Sequence, residues 1–195
     1  MSLETGRATL PVAGAGSRLS RFVRAVGPVA LGALSVAVAA QFVVPVPLSP
    51  VPMTLQPLAV LVVGGLLGTT GGVSALVLYL ALGALGLPVF AAGGSGLPHL
   101  IGPTGGYLLA FPVAAGITGA LVRRAPSSVL RVLLACALGM VVIHVGGVAH
   151  LALLGGDPSL AFRLGFIPFL TGDLLKVGLA AAVILAAGPR LRPLL

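Results

Sequence analysis

Apolar residues run along this chain in long unbroken blocks, and polar residues are confined to the short intervals between them. Neither the two-residue alternation of a half-buried strand nor the narrow stripe of a soluble amphipathic helix is present, so the blocks read as helices that are apolar all round. They lie at 22–44, 53–68, 73–87, 107–122, 129–154 and 166–188 and predict a bundle of six transmembrane helices. Pro45, Pro47, Pro50 and Pro52 close the first block, because proline fixes φ and removes a backbone donor. Thr69-Thr70-Gly71-Gly72 predicts a turn between the second and third blocks. Residues 88–106, rich in Gly and Pro, predict an irregular connection, and Asp157, Pro158 and Arg163 fall in the last loop. Residues 1–20 are expected to form a mobile basic tail, and 21–195 a single domain.

Composition turns this pattern into a fold class. The 195 residues are 58% hydrophobic and only 7% charged, whereas soluble domains carry roughly 25% charged residues. The solvent around most of the surface is therefore lipid, and the expectation is an all-α membrane protein. The net charge of +8 suggests nucleic acid until the charges are placed. Arg7, Arg18, Arg21, Arg24, Arg123, Arg124, Arg190 and Arg192 fall in the two tails and one middle loop, and Arg131 lies just inside the fifth block. With six spans these positions share one side, while the other side holds only Arg163. The positive-inside rule then predicts that both termini are cytoplasmic. Trp is absent and no basic face with interleaved aromatics exists, which argues against nucleic acid. A cleaved signal peptide ending near Ala37-Val38-Ala39 is a weaker reading, since the block is long and more spans follow. Cys136 stands alone in an apolar run and reads as a small buried hydrophobe.

Candidate chemistry is sparse, which makes it easy to single out. Asp173 and Lys176 lie inside the sixth block, three positions apart on one helix face. Each charge there costs roughly 2.5–3.5 kcal/mol on insertion scales, so the pair either satisfies itself or serves a ligand. Asp173 offers acceptors and Lys176 donors, which suits a ligand presenting N–H and C=O together, such as an amide, lactam or cyclic urea. By the predicted topology the 88–106 connection faces the same side. Gly93, Gly94 and Ser95 there can bring backbone donors close to a ligand, and Phe90 and Tyr107 can wall it. Thr54 and Gln56 open the second block from that side, as site residues or as a helix cap. His99, His144 and His150 lack a metal-ligand spacing, so packing or hydrogen-bonding roles are expected and no metal. Ala33 and Ala37 form a small-xxx-small pair, suited to packing within the bundle or against a partner helix.

Read in order, several segments resemble one family. Val46-Pro47-Leu48-Ser49-Pro50-Val51-Pro52-Met53-Thr54-Leu55-Gln56-Pro57-Leu58-Ala59-Val60 is similar to the opening of the second helix in the BioY family, the biotin-specific S components of energy-coupling-factor (ECF) transporters. Tyr79-Leu80-Ala81-Leu82-Gly83-Ala84-Leu85-Gly86-Leu87-Pro88-Val89-Phe90, Gly102-Pro103-Thr104-Gly105-Gly106-Tyr107-Leu108 and Gly172-Asp173-Leu174-Leu175-Lys176 follow in family order. The resemblance implies a six-helix S-component fold in the bacterial cytoplasmic membrane, with biotin bound near the outer face. It implies ligand contacts at Asp173 and Lys176 to the ureido ring, with Tyr79, Gln56, Thr54 and the 88–107 region contributing. Ala33 and Ala37 would meet the transmembrane coupling subunit, and two ATPase subunits would supply the driving force. The long basic tail and Pro57 depart from the pattern. No Walker motif is present, so the chain reads as a binding subunit without cofactor. The alternatives are an S component for another vitamin and, remotely, a rhomboid-like serine protease using Ser95 with His144 or His150.

Overall fold

The computed structural model describes residues 15–124 and 127–191, with side chains from residue 26 onward outside that gap. Helix α1 spans Ala15–Ala39, and two short strands, β1 (Val43–Val44) and β2 (Met53–Thr54), pair antiparallel across the proline cluster. Helix α2 spans Gln56–Ala84, α3 Leu97–Ile101, α4 Gly105–Arg124, α5 Val129–Gly155, α6 Pro158–Gly165 and α7 Leu170–Leu191. Single 3₁₀ turns at Ala91–Gly93 and Ile167–Phe169 precede α3 and α7.

Four helical stretches among the described residues are long and apolar enough to cross a membrane: Gln56–Ala84, Gly105–Arg124, Val129–Gly155 and Pro158–Leu191. The blocks at 53–68 and 73–87 merge into α2, yet α2 is not a straight rod. At Gly68 the backbone takes φ 75 and ψ −172, a conformation reserved for glycine. Twenty-three residues of straight helix would span about 35 Å, but Gln56 and Tyr79 are hydrogen bonded at 2.6 Å. The chain therefore doubles back at Gly68, and α2 is two antiparallel arms. The reversal is sharper than the four-residue turn read from 69–72, whose residues are helical.

Other boundaries also shift. The first block ends at Ala39 rather than 44, since Val43–Val44 is occupied by the strand pair. α1 itself runs the full Ala15–Ala39, and Val26–Ala39 is its apolar part among the residues whose side chains are described. Residues 15–20, expected in the mobile tail, belong to α1, while the rest of that tail and Arg192 lie outside the described residues. The 88–106 connection holds α3, and the last loop holds α6, whose amino end is capped by the Asp157 carboxylate accepting from Leu160 N–H at 3.0 Å. Proline at the start of both helices fits, because a first-turn N–H has no intrahelical partner. Pro57 sits in the first turn of α2 for the same reason, so it does not disturb Gln56.

Small residues let the helices approach closely. A Cβ on Gly64 would lie 2.4 Å from the carbonyl oxygen of Ala115, so α2 and α4 meet backbone to backbone. One apolar cluster, including Leu61, Cys136, Met140 and Ile184, fills the end where the arginines gather. There Arg123 covers the Gly68 reversal. The other cluster, built on Tyr79, Phe90, Tyr107, Phe111 and Ile143, fills the opposite half. Ala33 belongs to that second cluster, 3% exposed, and Ala37 packs partly buried against it. This corrects the expectation for Ala33, which is turned inward onto the rest of the bundle; the outward stripe of α1 is Leu31, Leu34 and Val38.

Gly64→Ala should lower the unfolding free energy in detergent by about 1–3 kcal/mol, because the added methyl meets rigid backbone. Gly178→Ala, with open space around its Cβ, should leave the melting temperature unchanged or slightly raised.

Candidate ligand-binding site

Asp173 lies in the first turn of α7, where the helix dipole favours a negative charge. One turn along, Lys176 donates from Nζ to Asp173 Oδ1 at 2.8 Å. The other carboxylate oxygen, Oδ2, accepts from His144 Nε2 of α5 at 2.6 Å. All three side chains are buried, at 6%, 5% and 8% exposure. Edge-on aromatic contacts surround the imidazole, with Phe166 at 5.0 Å and Tyr107 at 6.0 Å between ring centroids.

This triad faces a cavity of about 350 Å³ at the end of the bundle away from Arg123, Arg124, Arg131 and Arg190. Phe111, Ile143, Phe169, Leu108 and the Tyr107 ring give apolar walls, and Thr54 and Gln56 line it from the start of α2. The segment Val51–Met53 and residues Phe90, Pro98, His99 and Pro103 complete it. An apolar cavity of this size with a few converging polar groups suits a small organic ligand.

The polar groups differ in how much capacity they keep. Lys176 has three N–H donors and uses one on Asp173; each Asp173 oxygen keeps lone pairs beyond its single partner. The pair is thus neither idle nor self-satisfied, and it presents an acceptor beside a donor. Gln56 is more committed. Its Nε2 donates to Tyr79 Oη at 2.6 Å, its Oε1 accepts from Thr54 Oγ1 at 3.1 Å, and Tyr79 Oη donates to Val89 O at 3.1 Å. Thr54 Oγ1 also accepts from the Gln56 N–H at 3.3 Å, so the cap and the site are one arrangement.

Asp173, Lys176, Tyr107, Phe90, Gln56 and Thr54 are therefore brought together around one cavity. Tyr79 stands behind the wall and supports Gln56, and the Tyr107 hydroxyl donates to Gly165 O at 2.6 Å, leaving its ring as the surface offered. Gly93, Gly94 and Ser95 do not line the cavity, which corrects their expected place as contacts. Gly93 N–H donates to Gln41, and Ser95 O accepts from His99 Nδ1, so this stretch supports the loop that carries Phe90 and His99. Neither dyad proposed for Ser95 forms: His144 bonds Asp173, and His150 donates to Ile101 O at 3.3 Å. His144 is the residue that the spacing argument missed. A polar side chain in an apolar span needs a partner, and Asp173 is the one acid within the blocks, so that pairing was open to elimination.

The BioY family model matches residues 11–193. The chain belongs to the BioY family. Among its relatives are a probable biotin transporter BioY of Pyrococcus horikoshii, 42% identical over 72% of this chain and 82% of that one, and the biotin transporter BioY of Thermotoga maritima, 39% identical over the same shares. The crystal structure of the S-component for biotin from an ECF-type ABC transporter superposes with a TM-score of 0.81. It covers 88% of this chain and 94% of its own, at 24% identity, so the fold is shared. BioY relatives named in this way are transporters, and the chain is a membrane transport protein rather than an enzyme.

Tyr79→Phe should lower stability by about 1–3 kcal/mol, because it leaves the buried Gln56 amide without its partner. Thermal unfolding of the purified chain in detergent checks it; an unchanged midpoint would mean that Gln56 finds another acceptor.

Proposed function

We propose that this chain captures biotin in the cavity between α2, α4, α5 and α7, and serves as the S component of an ECF transporter. Membership of the BioY family supports the ligand, and the paired Asp173 and Lys176 supply the chemistry for it. A cyclic urea presents N–H and C=O on adjacent atoms. Asp173 accepts from the N–H and Lys176 donates to the oxygen, while Tyr107, Phe111 and Phe169 receive the apolar parts. The observation that carries the reading is the buried carboxylate whose two anchors leave an acceptor and a donor side by side facing an apolar cavity.

In the membrane the chain makes six passes, with the two arms of α2 counted separately and both termini in the cytoplasm. Support comes from the arginines: Arg123, Arg124, Arg131 and Arg190 lie at one end and the cavity at the other, so the cavity opens outward. Release to the cytoplasm then requires partners. A transmembrane coupling subunit and two ATPases fill that role, and α1 is the helix we assign to the coupling subunit, through its outward stripe of Leu31, Leu34 and Val38, one of several exposed apolar faces of the bundle.

Asp173→Asn should weaken biotin binding by at least about a hundredfold, since Lys176 would lose its buried counter-charge. Lys176→Ala should weaken it comparably by leaving the carboxylate with His144 alone. Titration calorimetry of the detergent-purified chain reads both; affinities close to the unaltered chain would move the ligand head to another part of the cavity.

A further inference from the structure

We propose that His144 is a positioning residue for the ligand: it acts on binding through Asp173 and makes no hydrogen bond to the ligand itself. The inference rests on the reading of the cavity as a biotin site and adds a polar residue of α5 to it.

The geometry separates the two anchors of the carboxylate. Lys176 comes from the same helix as Asp173 and reaches Oδ1 on a flexible four-carbon stem. One such anchor leaves the carboxylate free to rotate, because the χ2 torsion of aspartate is broad. His144 comes from α5 and holds Oδ2 at 2.6 Å. Two anchors from different helices fix the plane of the carboxylate, and with it the direction of the lone pairs left for a ligand N–H. An ionised carboxylate only accepts, so His144 Nε2 carries the hydrogen of this bond.

The same ring has an edge that no ligand reaches. His144 Nδ1 is buried and has no hydrogen-bond partner, although the residue lines an open cavity. The imidazole is held edge-on by Tyr107 and Phe166. Its available polar atom is thus already joined to Asp173, and its other nitrogen is sealed from the cavity. A ligand hydrogen bond at His144 would require the ring to leave this setting; a positioning role requires nothing to move.

Two substitutions separate the hydrogen bond from the packing. His144→Phe keeps an aromatic ring among Tyr107, Phe166 and Phe169 but removes the donor. His144→Gln loses the ring but carries an amide N–H that reaches to about the place of Nε2. Biotin binding by calorimetry, with melting temperature and size-exclusion profile alongside, should show His144→Phe weakened at least about tenfold and His144→Gln within about threefold of the unaltered chain. Binding kept in the Phe variant would overturn the inference, as would loss of binding in a folded Gln variant. Should the Phe variant fail to fold, His144→Met, which also lacks the donor, takes its place by the same criterion. An unaltered, folded chain that binds no biotin would overturn the ligand reading itself, a result distinct from either variant's failure.

Discussion

An ionised carboxylate inside an apolar bundle is tolerated only when its oxygens are held by donors, and the cavity end of this molecule is arranged around that requirement. Asp173 receives Lys176 from its own helix and His144 from α5. Because His144 must reach it, α5 and α7 are held in one register. Tyr107, pressed against the imidazole and bonded to Gly165, ties α4 and the end of α6 to the same point. A ligand head bound there as proposed would meet groups whose positions are set before it arrives, which reduces what binding must order.

The opposite wall follows a similar logic with neutral groups. Thr54, Gln56, Tyr79 and the Val89 carbonyl form a chain of hydrogen bonds across the two arms of α2. That chain can close only because Gly68 reverses the helix, and the reversal can pack only because Gly64 has no side chain to hold it off Ala115. A tight, glycine-lined end near the arginines thus positions a polar wall at the cavity end. Gln41, accepting from Gly93 N–H at 3.0 Å, ties the end of α1 to the loop that carries Phe90.

The membrane class, the order of the helices and the pairing of Asp173 with Lys176 were legible in the sequence, because each rests on local physics: block length, charge placement, and i,i+3 spacing. The residues that were misplaced depend on long-range geometry. Ala33 and Ala37 look alike in sequence, yet only packing decides that Ala33 points inward. Gly93, Gly94 and Ser95 read as backbone donors for a ligand; the fold gives the Gly93 N–H to Gln41 and the Ser95 carbonyl to His99. His144 stands 29 positions from its partner, a pairing that no periodicity reports. Helices α3 and α6 are short and carry proline in their first turn, so their sequences resemble turns.

The central claim is that the ligand's N–H and C=O head sits on the Asp173–Lys176 pair, with its apolar remainder toward the aromatic walls. A structure of the purified chain with biotin bound tests this most directly. The account predicts the ureido oxygen within about 2.7–3.2 Å of Lys176 Nζ and a ureido N–H directed at Asp173, with His144 still on the far carboxylate oxygen. A biotin bound in the reverse sense, with its carboxylate on Lys176 and its ureido ring beside the 88–104 loop, would contradict it.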